Sequence, residues 1–292
     1  MHQSIADVTT SHIFLGYKPL IIALPVLKTS EANGFLNSSD KVTLHFELNR
    51  GVSNDPDDKM SKSVATLELY KLETRSFDSH ALLIYEGICG DHSFLSPWHK
   101  FVNHQREKIE KREPGNVGLP ANLLDQVQIA YAVPRKISVI TVGNNSIFNM
   151  FPTDLFGEIN CTKYVSSLRV GGRATQQVEE IKNVVFSDVD ISSFRKVYDM
   201  GKNHMRDLRE ATSFDLATSR SEKFGFILPE SFTRYREMRL LESWEHGMHR
   251  IHFYDVINQV NSPGSTSELA HIHRLYAGWR EKMGLKTDLY LR

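Results

Sequence analysis

The stretch ISVITVGNNSIFNMFPTDLFGEINCTKYVSSLRVGGRATQQVEEIKNVVFS, residues 137–187, decides the fold. It opens on a β-branched run, Ile137 to Val142, closed by Gly143-Asn144-Asn145, which predicts a strand and a turn. The segment that follows carries Asn149, Pro152, Asp154 and Gly157 and is expected to be a loop. Tyr164 to Val170 is a second strand, ended by Gly171-Gly172. Arg173 to Asn183 sets Ala174, Val178 and Ile181 at helical spacing, and Val184 to Val189 returns to strand texture.

Downstream, Ser193 to Leu208 is expected to be a helix. Arg234 to Trp244 and His249 to Val260 flank Glu245-His246-Gly247-Met248, the pattern of a hairpin. Ser267 to Met283, after Pro263-Gly264, spaces Leu269, Ile272, Leu275, Tyr276 and Trp279 as an amphipathic terminal helix, packing on the body or on a partner subunit.

Upstream, the first third is β-rich. Strands are expected at Pro19 to Leu24, Asp40 to Leu48, Val64 to Leu72 and His80 to Glu86, with a polar loop from Arg50 to Ser63. Ser93 or Ser96 caps a helix that begins at Pro97, and Pro114-Gly115 stops it. Its QREKIEKRE run is a solvated face. Leu123 to Val133 forms a second helix, ended by Pro134.

The bulk numbers exclude several classes. Lys plus Arg and Asp plus Glu are 35 each, so no net charge draws the chain to nucleic acid or an anionic membrane. The longest apolar run, Leu20 to Leu27, is too short to span a bilayer. Two cysteines, Cys89 and Cys161, form neither a disulfide framework nor a metal spacing. A soluble, cytoplasmic protein is expected. Nucleotide-binding and hydrolase signatures of the G-x-G-x-x-G, P-loop, H-E-x-x-H and G-x-S-x-G types are missing. His249 and His252 would face opposite sides of a strand, and His271 and His273 would diverge on a helix, so no metal site is expected.

The order of strand, turn, Asn-bearing loop, v-s-l strand and Thr-bearing helix, with Gly247-Met248-His249 opening a later strand, resembles the flavin reductase-like family of FMN-binding split barrels. The resemblance runs from about Arg135 to Val260. It implies a mainly β fold: a Greek-key split barrel with flanking helices, occupying 134–292 and preceded by an N-terminal β-plus-helix region, 1–133. It implies FMN, with FAD as an alternative, NAD(P)H as hydride donor, and a homodimer. A flavin protein that does not use nicotinamide is the rival.

FMN needs phosphate donors, a slot for its ring and backbone groups for the ring's polar edge. Arg173, Thr175 and Gln176 offer a cation, a hydroxyl and helix-start N–H groups for phosphate, although Thr175 is equally a plain first-turn residue. Asn149, Met150 and Phe151 would contact the ring, or form an ordinary turn. Ser166, Ser167 and Leu168 would line the flavin edge. Arg169 reaches phosphate or balances a carboxylate. Thr153 and Asp154 follow Pro152, with Asp154 capping a turn or meeting a ribityl hydroxyl. His249 is the candidate beside flavin or nicotinamide, titrating near neutrality. The long N-terminal region is either extra barrel strands and decoration or a separate domain, and as an added layer it could cover the open side of the flavin.

Overall fold

The computed structural model describes residues 5–47, 63–109, 117–144, 146–214, 217–262, 267–272 and 274–284. The loop expected at 50–63 falls almost wholly outside them, as do the Pro114-Gly115 stop, the Pro263-Gly264 pair and His273.

The N-terminal part comprises β1 (Ile13–Tyr17), β2 (Leu20–Leu27), α1 (Glu31–Ser38), β3 (Lys41–Glu47), β4 (Ser63–Ser76), β5 (His80–His92), α2 (Pro97–Ile109) and α3 (Asn122–Ala130). Its strands form one antiparallel sheet in the order β1-β2-β5-β4-β3. The unbroken apolar run of β2 has a simple cause, because both faces of the sheet are covered. Leu20, Ile22 and Leu24 join Leu83 and Tyr85 of β5 in a core beneath α3, while Ile21, Ala23, Leu82 and Ile84 face the other way.

The remainder comprises β6 (Arg135–Lys136), β7 (Ser138–Gly143), β8 (Ile147–Thr153), β9 (Phe156–Asn160), β10 (Lys163–Arg169), α4 (Arg173–Ile181), β11 (Asn183–Val189), α5 (Phe194–Asp199), β12 (Arg209–Glu210), β13 (Ala217–Arg220), β14 (Ile227–Pro229), β15 (Phe232–His246), β16 (His249–Asn261), β17 (Ala270–His271) and α6 (Arg274–Lys282). Eight of these strands make one antiparallel sheet in the order β12-β8-β7-β11-β15-β16-β10-β9. The chain passes from β8, near one end of that order, to β9 at the other through Asp154 and Leu155 alone. The sheet therefore curls round into a Greek-key barrel, with β11 returning beside β7.

The pleat sorts side chains between inside and outside. Ile140, Val142, Phe151, Tyr164, Leu168, Val184, Phe186, Met238 and Tyr254 fill the interior, and Ala174 and Val178 of α4 close one end. The β15–β16 hairpin turns through Gly247 and Met248, with Gly247 at φ +58° as a two-residue turn with glycine first requires. A Cβ there would lie 2.3 Å from Pro19 Cδ, so the turn can rest directly on the β1–β2 connection. Met248 N–H donates to Lys18 O at 3.0 Å.

The N-terminal sheet lies on the barrel wall. Ile13, Leu15, Ile21 and Leu82 share a core with Val165 of β10 and Ile251 and Phe253 of β16. The cover expected over the open face is thus a second β-layer, packed face to face.

Several elements differ from the sequence reading, and one open alternative is decided. The supposed loop after Asn144 is strand β8, because Asn149 and Pro152 sit within pairing to β7. The helix expected from Ser193 to Leu208 is α5 followed by a 3-10 segment at Met200–Met205. His271 lies on β17, paired with β6, rather than on a helix. Finally, Leu275, Tyr276 and Trp279 of α6 pack inside the chain on the N-terminal core, with Trp279 5.4 Å from Phe94. Of the two alternatives expected for the stripe, packing on the body is the one seen. Trp279→Ala is expected to destabilise the protein by about 2 kcal/mol in urea unfolding, since a half-buried indole is removed. No change in midpoint would show that α6 does not hold the N-terminal part. Among the described residues no helix is long and apolar enough to cross a membrane.

Candidate functional site

The residues proposed from sequence separate into two groups. At the α4 end, Asn149 is fully buried. Its amide nitrogen donates to Gln177 Oε1 (2.8 Å), Asn203 O (3.0 Å) and Arg206 O (3.2 Å), stitching β8 to α4 and the 3-10 segment. Met150 points away from the barrel interior into the core with Val139 and Val185, and Phe151 points into the interior. Thr175 donates its hydroxyl to Arg169 O at 2.7 Å. Arg173 is exposed and bound to Asp207 (Nε 2.7 Å) and to Gln176 Oε1 (2.7 Å). Asn149, Met150, Phe151, Ser166, Ser167, Leu168 and Thr175 are all buried, with their polar atoms largely bonded to protein. The three pieces converge, and their buried side chains pack against one another there.

Ser166 Oγ lies 3.1 Å from Tyr254 Oη, and Ser167 Oγ lies 3.1 Å from His249 Nδ1. His249 is 1% exposed. Its Nε2 accepts from Tyr17 N–H at 3.2 Å, which leaves the proton on Nδ1 to donate to Ser167. The Tyr17 ring sits edge-on at 4.5 Å. A Cβ on Gly16 would come within 3.1 Å of the imidazole, so glycine lets β1 lie flat against it. Burial, helped by Arg169, pushes the imidazole down to about 4. The expectation of titration near neutrality is corrected: a sealed ring stays uncharged because its cation would be desolvated.

The second group lies at the other end of the barrel. Thr153 ends β8 opposite Ser138, and Thr153 Oγ1 accepts from Leu155 N–H at 3.3 Å. Asp154 accepts two hydrogen bonds from Arg135, at 3.2 and 2.8 Å. The Arg135 guanidinium is stacked 3.8 Å from the Tyr131 ring and 4.9 Å from Phe14.

Beside this corner is a cavity of about 770 Å³ between the N-terminal sheet and the barrel mouth. Phe14, Arg135, Asp154, Phe156, Tyr164 and Arg236 are among the residues that line it. Its charged pole was missed by the sequence reading. Inward positions of β7, β11 and β15 run from apolar near α4 to Ser138, Asp188, Arg234 and Arg236 at the mouth. Asp188, 2% exposed, accepts from Ser138 Oγ (2.8 Å), Arg234 Nε and Nη2 (2.9 and 2.6 Å) and Arg236 Nη1 (3.2 Å). Burial works against its charge, but the Arg236 and Arg234 guanidinium groups hold the carboxyl below its ordinary range. Asp188 and Arg234 stand opposite each other at inward strand positions, a pairing that the register supplies and the sequence alone does not.

No family model and no curated protein matches this chain. Solved structures are similar to part of it. The NADH:FAD oxidoreductase SgcE6 of Streptomyces globisporus is 15% identical over 55% of this chain and 95% of its own, with a TM-score of 0.44. BorF, the flavin reductase component of a bacterial two-component tryptophan halogenase, is 15% identical over 50% of this chain and 91% of its own, at 0.45. An FMN-binding protein from Thermus thermophilus is 14% identical over 57% of this chain and 92% of its own, at 0.44.

Proposed function

We propose that this chain is a flavin-binding protein of the flavin reductase-like type, holding FMN in the barrel mouth rather than between Asn149, Ser167 and Thr175. The observation that carries the reading is the cavity itself. Its volume lies in the range of cofactor sites, its walls include the Phe14, Phe156 and Tyr164 rings, and two arginines share one carboxylate at its base. Flat aromatic walls suit an isoalloxazine, and the surplus cation suits a phosphate. Bound there, FMN would supply the hydride- and electron-accepting chemistry. The chain's own residues bind and orient it: Arg135 fixes Asp154 at the rim, and the Tyr164 phenol, kept protonated by burial, offers an uncharged polar surface.

Reduction by NAD(P)H is what the resemblance implies for such a flavin. One observation favours the rival, a flavin protein that exchanges electrons without nicotinamide. His249, the residue expected beside nicotinamide, is enclosed by Tyr17 and β1, and the wall bearing it is covered by the N-terminal sheet. A homodimer belongs to the same proposal.

Titrating the full chain into FMN should quench flavin fluorescence with a dissociation constant of about 10 µM or tighter. Absence of quenching with both FMN and FAD rejects flavin binding. Under anaerobic conditions the loaded protein is expected to keep its flavin absorbance when NADH or NADPH is added. Rapid bleaching would instead establish the reductase.

A further inference from the structure

We propose that Arg236, backed by Arg234, is the anion-holding group of the barrel mouth and takes the phosphate of a phosphorylated ring compound. The proposal rests on the flavin reading for the identity of the ring, and on the charge geometry alone for the anion.

Arg236 is 2% exposed, yet it lines the cavity. Among the described residues its hydrogen-bond partner is Asp188, reached through Nη1 at 3.2 Å, and its guanidinium lies 5.0 Å from the Tyr164 ring. Arg234 holds the same Asp188 oxygen through two nitrogens at shorter range. A buried guanidinium has five N–H donors and is costly to desolvate, so one long bond to an oxygen already claimed twice leaves donors unused.

The charges around it do not cancel. Arg234 and Arg236 face one carboxylate, Asp188. Lys136 is paired with Glu268, which also lies 3.6 Å from Arg234. These three cations and two carboxylates leave one positive charge at the base of the cavity. Asp154 is neutralised by Arg135, and Glu158 stands exposed at the rim. A planar fork with surplus donors matches phosphate better than a single ammonium would. Ser138 already donates to Asp188, so it holds the carboxylate in place rather than competing for the ligand. At the α4 end Arg173 is bound to Asp207 and Thr175 to Arg169 O, so these two residues offer no such free fork.

The test compares FMN with riboflavin, which differ only in the phosphate, by calorimetric titration of the full chain. Wild type should prefer FMN by at least about tenfold. Arg236→Met should abolish the preference while leaving riboflavin affinity unchanged. Arg234→Gln, which keeps the Arg236–Asp188 pair, should reduce the preference severalfold and serves if Arg236→Met does not fold. Equal affinity for the two compounds in wild type, or a preference that survives Arg236→Met or is untouched by Arg234→Gln, overturns the assignment. If neither compound binds, the flavin reading fails and inorganic phosphate decides the anion site. A thermal upshift by phosphate over chloride at equal ionic strength, lost in the same variants, upholds it. No upshift, or one the variants keep, removes it.

Discussion

Asp188→Ala is expected to destabilise the chain by about 3–5 kcal/mol, because it strands the Arg236 guanidinium in the barrel without a counter-charge. The carboxylate is also the shared acceptor for Ser138 on β7 and Arg234 on β15, so the loss reaches three neighbouring strands. Urea denaturation of both proteins at neutral pH measures it. Arg236→Met added to Asp188→Ala should recover part of the loss, since the stranded charge is then gone. If Asp188→Ala costs less than about 1 kcal/mol, the mouth is wet enough to solvate Arg236, and the buried-charge argument collapses.

Acid should weaken the fold well before carboxylates titrate. His249 is pushed down to about 4 and His252 to about 3, in both cases first by burial and then by a nearby arginine. The unfolded chain gains these protons near the ordinary imidazole value of about 6.5, whereas the folded chain refuses them until much lower pH. Stability is therefore full above that value and falls as pH drops toward 4. The slope is about 1.4 kcal/mol per histidine per pH unit, and His249 alone contributes about 3 kcal/mol of loss.

His252 offers the cleaner variant. Both its ring nitrogens are buried without a hydrogen-bond partner, and Glu179 lies 3.9 Å away. His252→Phe should leave stability at pH 7 equal or higher and lower the slope between pH 6.5 and 4.5 by about 1.4 kcal/mol per pH unit. His249→Gln should lower it by a similar amount while weakening the joint to Tyr17. Wild-type midpoints that stay level from pH 7 to 5 would mean that water reaches both rings.

The parts of the fold written as local pattern were legible. The Ile137–Val142 run, the amphipathic Arg173 helix and the hairpin about Gly247 each announce themselves within a dozen residues, and each stands where it was expected. β8 was misread because Asn149 and Pro152 look like turn chemistry. In the chain, Asn149 finds Gln177 and two backbone carbonyls from outside its own strand, so tertiary contacts override local preference. β1 was unread because Gly16 interrupts its short IFLGY run, and the reason for that glycine, close approach to His249, lies 233 positions away. The path of α6 is of the same kind: its stripe predicts burial without saying against what.

The candidate site was legible only at one corner. Asp154 lines the cavity, Asn149, Met150, Phe151, Ser166, Ser167, Leu168 and Thr175 are buried away from it, and Arg169, Arg173 and Gln176 are exposed. Arg234, Arg236 and Asp188 escaped notice because a charge in a strand reads as solvent-facing until the register turns it inward.

The central claim is that a flavin is held at the barrel mouth. Its most direct measurement is a crystal structure of the full chain grown with FMN. The account predicts ring density between Phe14, Phe156 and Tyr164 with the phosphate on Arg236. Density at the Thr175 end of α4 with an empty mouth would contradict it.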